Sequence, residues 1–323
     1  MLNKIYFLTP RSALRTIVFM LLAFFYSMRS HGQGCSDAGF CTMGAMRPNQ
    51  QYSTQTNIKL RSIEFSQYIG YTKFDDLIIN YTLDANVSIG NKNTLQIKLP
   101  YQLVYGSLAN THGTGDVSLS FTRNIIAKSR YQINVSVGTK IPTMVPNLKA
   151  DDGRPLPSYY QTSLGTYDAI AGVSLISKHW LFATGYQQAL NAAGNEFVWG
   201  AWTGSEKQQQ ALAYPVSKYV LRGKDVMLRI ERNFRSSKFN AYVGLLGIYR
   251  LTKDKVFAPT FKEVREKDGT TGLALTALGG VGYNITVKTS IKGMFGYKLV
   301  QRETNPDGLS REWVQTLGVE YKF

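Results

Sequence analysis

The feature of this chain that most limits its fold is a period-two alternation of apolar and polar residues, repeated along most of its length. From Leu77 to Ile89 every odd position is apolar, and all but one of the even positions between them are polar. After the turn Gly90–Asn93 the odd apolar series resumes and continues to Tyr105. Such alternation is typical of β-strands whose two faces meet different environments. No long window has helical periodicity, so the sequence predicts an all-β protein.

Three further observations separate a membrane barrel from a soluble β-sandwich, which also alternates. The predicted strands run for about 12 residues, against the usual 5–6 in soluble sheets. Many of the 20 Tyr and 16 Phe lie near the ends of the apolar faces, like the aromatic girdles of membrane barrels. The connections alternate between short ones at Gly90–Asn93, Ala127–Arg130, Ser177–Lys178, Arg235–Lys238 and Ile285–Thr286, and long ones at about 106–114, 144–163, 191–216, 253–268 and 304–310.

Counting from a first strand near Asn57–Gln67 gives about twelve strands, with all short turns at one end and all long loops at the other. The sequence therefore predicts a transmembrane, antiparallel, up-and-down β-barrel over residues 55–323. Closure leaves no exposed sheet edge, as lipid requires. Two irregularities are expected: a kink or bulge at Pro100, and a bulge at Gly223–Asp225 where the alternation changes parity.

The N-terminal 32 residues have the pattern of a secretory signal peptide. Lys4, Arg11 and Arg15 precede the apolar run Ile17–Tyr26, which is shorter than the roughly 18 residues of a spanning helix. An uncleaved anchor and a lipidated N-terminal cysteine are the alternatives. Residues 33–54 are expected to form a short periplasmic segment. Its two cysteines, Cys35 and Cys41, are predicted to form a disulfide in that oxidising compartment, the alternative being a reactive thiol or metal ligand.

Several motifs resemble one family of outer-membrane barrels. They are Leu99-Pro100-Tyr101, the opening Gly113–Leu119 of the next strand, the ending Gly138–Thr143 of the strand after it, and Pro157–Gln188. This pattern resembles the barrels associated with phenol meta-cleavage degradation of aromatic compounds, which are distantly similar to long-chain fatty-acid transporters. The resemblance implies inward passage of hydrophobic small molecules. The chain lacks a long apolar N-terminal plug, because residues 34–54 are short.

Charged residues on the polar phase of the strands and at strand ends are predicted to line the lumen. One interpretation is a positive interior that favours anions or carboxylated substrates. The other is a salt-bridged wall, with Asp84, Glu231 and Glu320 as partners of the cations. Asp116 is predicted either to bind a cation or line a constriction, or to cap a turn beside its neighbouring glycines. The predicted lumen set is Lys98, Asp116, Lys140, Arg222, Arg229, Glu231, Lys288, Lys292, Lys298 and Arg302.

The formal charge of +16 does not indicate nucleic-acid binding, because the aromatic residues mostly occupy the face opposite the lysines. An enzyme is not expected either. His112 and His179 are predicted at opposite ends of the barrel, and neither has a serine at a nucleophile spacing. Two Cys and three His also give little material for a metal site, so the sequence predicts no metal and no cofactor.

Trp199 and Trp202 lie in the longest predicted loop. They are predicted to contact substrate or to fold into the barrel mouth, the alternative being a membrane-interface anchor. The last strand alternates as Leu317, Val319, Tyr321 and Phe323, a pattern expected to be recognised by the barrel assembly machinery. Unchanged membrane assembly after deletion of Phe323 would argue against that role.

The predicted function is passive uptake of small hydrophobic or amphipathic molecules through the lumen of a monomeric outer-membrane barrel. The expected partners are outer-membrane lipid and lipopolysaccharide, the assembly machinery and a small-molecule substrate. The alternative is a structural or adhesive barrel whose loops 144–163 and 191–216 bind a surface partner. Side chains largely fill the interior of small barrels, so a closed lumen is compatible with either function.

Overall fold

A computed structural model describes residues 43–47 and 59–323. The predicted signal peptide 1–32, the predicted disulfide between Cys35 and Cys41, and most of the 33–54 segment lie outside the described residues. No helix in the described ranges is long and apolar enough to cross a bilayer.

Within 59–323 the chain forms fifteen β-strands, one short α-helix and two 3-10 helices. A further 3-10 helix, Gly44–Met46, lies in the short N-terminal range. The α-helix is α1 (Gln208–Ala213), and the other 3-10 helices are Ser158–Tyr160 and Trp199–Trp202. The strands are β1 (Lys59–Tyr71), β2 (Leu77–Ile89), β3 (Asn93–Tyr105), β4 (Asn110–Thr114), β5 (Val117–Ala127), β6 (Tyr131–Ile141), β7 (Asp168–Ser177), β8 (Trp180–Ala189), β9 (Asp225–Arg235), β10 (Phe239–Arg250), β11 (Asp254–Ala258), β12 (Glu263–Lys267), β13 (Gly272–Asn284), β14 (Thr289–Val300) and β15 (Trp313–Lys322).

The strands close into a 12-stranded antiparallel barrel, which confirms the predicted fold class. Each wall strand pairs with the next along the chain, with β4 and β5 together forming one strand. The barrel closes where β1 pairs with β15, from Ser62 opposite Lys322 to Tyr71 opposite Trp313. The hairpin β11–β12 forms a separate two-stranded sheet in the connection between β10 and β13.

The period-two alternation corresponds to the two faces of this wall. Phe65 on β1 and Val281 on β13 point outward and are 53% and 52% exposed. Asn80 and Asp84 on β2 point inward and are buried. Apolar residues therefore lie on the outside of the barrel and polar residues line its interior, which is the reverse of a soluble protein's pattern and is typical of a membrane barrel.

The irregularity at Pro100 lies in the neighbouring strand. Tyr101 of β3 pairs with Thr114, whereas Lys98 pairs with Ser118, so the β4–β5 strand contains one residue more than β3 over this stretch. The Gly115 N–H donates to the Pro100 carbonyl oxygen at 2.9 Å. This bulge divides the strand into β4 and β5. The predicted loop at 106–114 is therefore wrong in part, because 110–114 form β4 and extend the wall.

The predicted bulge at Gly223–Asp225 is wrong. Strand β9 begins at Asp225, and the residues before it belong to the loop 190–224. Tyr219 in that loop has a positive φ of 53°, and Leu221 forms an isolated bridge with Lys255 of β11. The change of parity therefore marks the end of a loop and not a distortion within a strand.

Candidate functional site

The barrel lumen has an apolar side and a polar side. The apolar patch consists of buried side chains on β7, β8, β9, β10 and β13: Ile170, Ile176, Leu181, Ala183, Met227, Tyr242, Leu246 and Leu278. The polar side is carried by buried residues of β2, β3, β5 and β6, among them Asn80, Asp84, Asn86, Gln96, Ser118, Ser120, Asn134 and Ser136. The apolar side is interrupted on β9, where the buried Arg229–Glu231 ion pair follows Met227 along the strand. A molecule inside would meet mostly hydrocarbon on one side and mostly hydrogen-bonding groups on the other.

Residues 43–47 lie inside this lumen. Met43 and Met46 are buried within the apolar patch. On the polar side, the Ala45 N–H donates to Ser136 Oγ at 3.3 Å, and Arg47 Nη1 donates to Asn86 Oδ1 at 2.9 Å. The sequence placed these residues in a periplasmic segment. The five described residues instead bridge the two sides of the barrel interior, and we call them the lumen segment.

The strand-borne cations of the predicted lumen set are all in ion pairs, as the salt-bridged interpretation requires. The pairs are Lys98–Asp84 at 3.7 Å, Lys140–Asp116 at 3.8 Å, Arg229–Glu231, Lys292–Glu64 at 2.7 Å, Lys292–Glu320 at 3.0 Å and Lys298–Glu312 at 2.7 Å. The prediction for Lys288 is wrong, because this residue is exposed in the turn between β13 and β14. The wall is therefore charged but largely compensated.

Asp116 has a role that neither of its sequence interpretations foresaw. It is 6% exposed and accepts hydrogen bonds from Ser163 Oγ at 2.5 Å and from the Leu164 N–H at 3.2 Å. Both donors belong to the loop 142–167, which joins β6 to β7. With Lys140 at 3.8 Å as its ion-pair partner, Asp116 fastens this loop to the barrel wall.

The two longest loops, 142–167 and 190–224, fold over the barrel mouth and pack against wall residues there. We call this layer the cap. Its buried side chains are Leu156, Tyr159, Tyr160, Phe197, Trp202, Ala211 and Tyr214, in one cluster with Tyr68, Ile78, Val104, Leu108 and Val314. Trp202 donates from Nε1 to the Pro155 carbonyl at 2.8 Å, as expected of a residue folded into the mouth. Trp199 remains 43% exposed at the outer surface of the cap.

One buried carboxylate holds the cap to the wall. Asp76, in the connection between β1 and β2, accepts hydrogen bonds on Oδ1 from the hydroxyls of Tyr160 and Tyr214, each at 2.7 Å. The two hydroxyls lie 2.9 Å apart, and Thr72 Oγ1 donates to Oδ2 at 3.0 Å. Burial raises the pKa of Asp76, an effect that these hydrogen bonds partly offset. We call Asp76, Tyr160 and Tyr214 the latch.

Sequence reasoning did not identify the latch. Asp76 follows another aspartate in a short connection, and both tyrosines lie in loops outside the alternating strands. The three residues are brought together only when two loops fold onto the barrel mouth. Tyr160 lies within the Pro157–Gln188 motif, but that motif gave it neither a role nor a partner.

A second buried network joins the loops at this end to the strands. Arg250 at the end of β10 contacts Asp225 at 2.9 Å, Asp254 of β11 at 2.8 Å and Asp307 at 3.0 Å. Burial alone would raise the pKa of Asp307, but the surrounding arginines, Arg250 first, outweigh it and lower the pKa to about 2.

Two members of the predicted lumen set belong to this end of the molecule and to loops. Arg222, in the loop 190–224, is buried and pairs with Asp168 at the start of β7. Arg302, in the loop 301–312, is buried with its Nη1 3.8 Å from Asp225 Oδ1. Their charges therefore lie beside the cap and not along the middle of the lumen wall.

The C-terminal pattern lies on the outside of the barrel. Leu317, Val319 and Tyr321 of β15 are 49%, 48% and 43% exposed, and Phe323 contacts the Tyr321 ring edge-to-face at 5.1 Å. These residues present a row of apolar side chains beside the closing seam. Recognition of this row by the assembly machinery stays a prediction.

The two histidines that follow the predicted signal peptide are exposed. His112 lies on β4 at the long-loop end, with Nδ1 2.9 Å from the Tyr101 hydroxyl, and His179 lies in the turn between β7 and β8 at the other end. They are thus too distant to act together. Within the described ranges, no group of three His, Cys, Asp or Glu side chains is placed to hold a metal ion.

The geometry is similar to that of a solved outer-membrane channel from Pseudomonas putida F1. That structure has a TM-score of 0.58 and 12% sequence identity, covering 85% of this chain and 99% of that one. The fold is that of an outer-membrane β-barrel. The NanC porin matches with a TM-score of 0.45 and 10% sequence identity, covering 81% of this chain and 100% of that one. The KdgM porin matches with a TM-score of 0.41 and 10% sequence identity, covering 81% of this chain and 99% of that one.

At the level of sequence, no protein-family model matches the chain, and no curated protein sequence matches it. The resemblance to barrels of aromatic-compound degradation therefore stays a prediction, and function has to be argued from the lumen itself.

Proposed function

We propose that this protein is an outer-membrane channel for small amphipathic molecules, and that the structure represents its closed conformation. The observation that carries the proposal is the two-sided lumen. The apolar patch supplies a surface for a hydrocarbon or aromatic part, and the opposite wall supplies amide and hydroxyl groups for a polar part. A lumen with only a structural role would need no such division, since either kind of packing fills a small barrel.

The lumen segment supports this interpretation because it is itself amphipathic. Its two methionines occupy the apolar patch, while its backbone and Arg47 bond to the polar wall. Methionine is a flexible side chain that fills irregular apolar space and adapts readily to other partners. The segment thus occupies the path as a permeating molecule would, and its displacement would open the lumen.

The orientation follows the rule for bacterial barrels, with short turns at the periplasmic end and long loops outside. On this basis the cap lies on the extracellular side, and the latch is the contact that has to break for entry. Each tyrosine hydroxyl donates to a buried carboxylate, and such hydrogen bonds contribute roughly 1.5–3 kcal/mol each. Loss of both is enough to shift a closed loop toward opening without unfolding the barrel.

The test compares wild-type protein with the double variant Tyr160→Phe/Tyr214→Phe in planar bilayers and in liposome-swelling assays. The substitutions remove two hydroxyls and keep the rings, so the apolar packing of the cap remains. We expect the ratio of open to closed channels to rise at least about tenfold in the variant, because a loss of about 1.4 kcal/mol from the free energy that favours the closed state changes this ratio by a factor of ten. In swelling assays, phenylalanine should pass faster than glutamine because only its ring can use the apolar patch.

The matched control is Tyr105→Phe/Tyr283→Phe, which removes hydroxyls from two exposed tyrosines of the outer face. It should behave like the wild type. If no solute passes through the wild type, through the latch variant, or through a variant with residues 43–47 replaced by Gly and Ser, the channel proposal fails. The structural or adhesive barrel would then be favoured.

A further inference from the structure

A second concave site lies outside the lumen, on the surface of the long-loop end. It is a cavity of about 330 Å³, within the size range of pockets that bind small organic molecules. Four separate parts of the chain form it: the β1–β2 connection, the loop 190–224, the β11–β12 hairpin and the loop 301–312. It lies on the outer side of the cap, so a ligand would reach it without entering the barrel.

The floor of this cavity is apolar and partly aromatic. Trp199, Leu212, Val216 and Phe257 are among its lining residues. Trp199 is 43% exposed, and Leu212 is 42% exposed. The Trp199 indole is nevertheless held in place, because its Nε1 donates to the Tyr214 carbonyl at 2.8 Å. A fixed, open aromatic surface of this kind favours a flat apolar ligand, because little side-chain entropy is lost on binding.

The rim of the cavity is positively charged. Lys73, Arg265 and Lys267 line it, against Glu266 as an acid. Arg265 is already engaged with Glu263 and lies over the Phe261 ring at 3.6 Å. In the described part of the chain, neither Lys73 nor Lys267 is in an ion pair with a carboxylate. An anionic group bound at this rim would therefore gain two exposed ammonium partners.

We infer that this cavity binds a small organic anion with an apolar ring, for which an aromatic carboxylate is the simplest form. The ring lies against the Trp199 and Phe257 floor, and the carboxylate lies at the Lys73 and Lys267 rim. The site is next to the latch, because Tyr214 lines the cavity and also donates to Asp76. The inference concerns binding at the outer surface, so it stands or falls separately from conduction through the lumen.

The test measures equilibrium binding of 2-naphthoate, and of the neutral 2-naphthalenemethanol, to the full-length protein in detergent by calorimetry. We expect naphthoate to bind about fivefold more tightly than the alcohol at low salt, as two exposed charge pairs allow, and the difference to shrink at high salt. Lys73→Ala/Lys267→Ala should remove the preference for the anion and leave the affinity for the alcohol nearly unchanged. Trp199→Ala should weaken both ligands.

Two controls make the outcome specific to the cavity. Lys92→Ala/Lys238→Ala removes two exposed lysines from turns at the opposite end of the barrel and should bind naphthoate like the wild type. Trp180→Phe changes a tryptophan outside the cavity and should have no effect. Equal affinity of the wild type for the anion and the alcohol would overturn the inference, as would undiminished naphthoate binding to folded Lys73→Ala/Lys267→Ala protein.

Discussion

At the residue scale, the contacts with the largest consequences are ion pairs removed from water at the long-loop end. Arg250 is buried and contacts Asp225, Asp254 and Asp307, which belong to a wall strand, the β11–β12 hairpin and the β14–β15 loop. Formation of a buried pair contributes little net stability, but removal of one partner costs several kcal/mol, because a charge is left uncompensated. We therefore regard this network as a device that fixes the positions of the loops.

The Asp307 carboxylate should make the loop 301–312 sensitive to acid. Its pKa is lowered from 3.8 to about 2 in the folded protein. Since the folded-state pKa is depressed, the stabilisation is fully present above pH 3.8 and is lost as the pH falls through about 2. The charged Asp307 carboxylate stabilises the folded state by about 2 kcal/mol. The protection factors of the amides of this loop, which are exchange rates corrected for the intrinsic pH dependence, should therefore fall over that pH interval.

Two substitutions check the assignment. Asp307→Asn should remove this acid-dependent step and leave the loop less protected than in the wild type above about pH 4, where the wild-type carboxylate is charged. Asp268→Asn alters an exposed carboxylate that pairs with Lys253, and the acid step should persist because exposed pairs contribute little. The same acid step in the Asp307→Asn protein would show that another group causes it.

At the scale of elements, the strands could be predicted and the cap could not. A strand such as β2 has a repeating pattern, because each side chain meets either lipid or lumen, and the pattern alone gives its bounds. The loops 142–167 and 190–224 have no such repeat, and their fold depends on contacts between distant residues such as Asp116 with Ser163. The lumen segment is too short for any periodic signal, so its place inside the barrel could not be predicted.

The lumen segment depends on the absence of a side chain at Gly172 of β7. A Cβ atom at this position would lie 2.5 Å from the Met46 sulfur, so Gly172→Val should displace the segment. Overpacking of this kind costs about 1–3 kcal/mol. We expect faster hydrogen exchange within residues 43–47 and a conductance several-fold higher than that of the wild type.

Gly293→Val is the matched control for this substitution. A Cβ atom at Gly293 of β14 would meet only Leu317 and Val281, both at 3.6 Å, which is ordinary contact distance. This variant should keep the exchange rates and conductance of the wild type. Unchanged protection of residues 43–47 in a folded Gly172→Val protein would show that Met46 does not depend on the space at Gly172.

At the scale of the whole molecule, the excess of positive charge on the chain should not make the lumen strongly selective for anions. The formal charge is +16, yet the strand-borne lumen cations are paired with carboxylates along the wall. Selectivity in a pore depends on the charges that line it and not on the total. With the latch opened by Tyr160→Phe/Tyr214→Phe, the reversal potential in a KCl gradient should lie close to zero.

Removal of one wall carboxylate should shift that balance. In the latch-open background, Glu231→Gln leaves Arg229 beside a neutral amide, so the reversal potential should move toward that of chloride. Glu206→Gln changes an exposed carboxylate of the loop 190–224 and should leave the potential in place. A strong preference for chloride before either substitution would mean that the wall pairs do not compensate one another in the open state.

The position of residues 43–47 has a consequence for how much solute the protein would carry. The lumen segment belongs to the same chain as the barrel, so each barrel contains one copy of it. Dilution of the protein therefore does not remove it, as it would remove a separate blocking molecule. In the proposed channel, every permeating molecule would compete with this segment, so the apparent affinity of the lumen for solute would equal its intrinsic affinity multiplied by the fraction of time that the segment is away. Throughput would then be set by this internal competition more than by the width of the barrel.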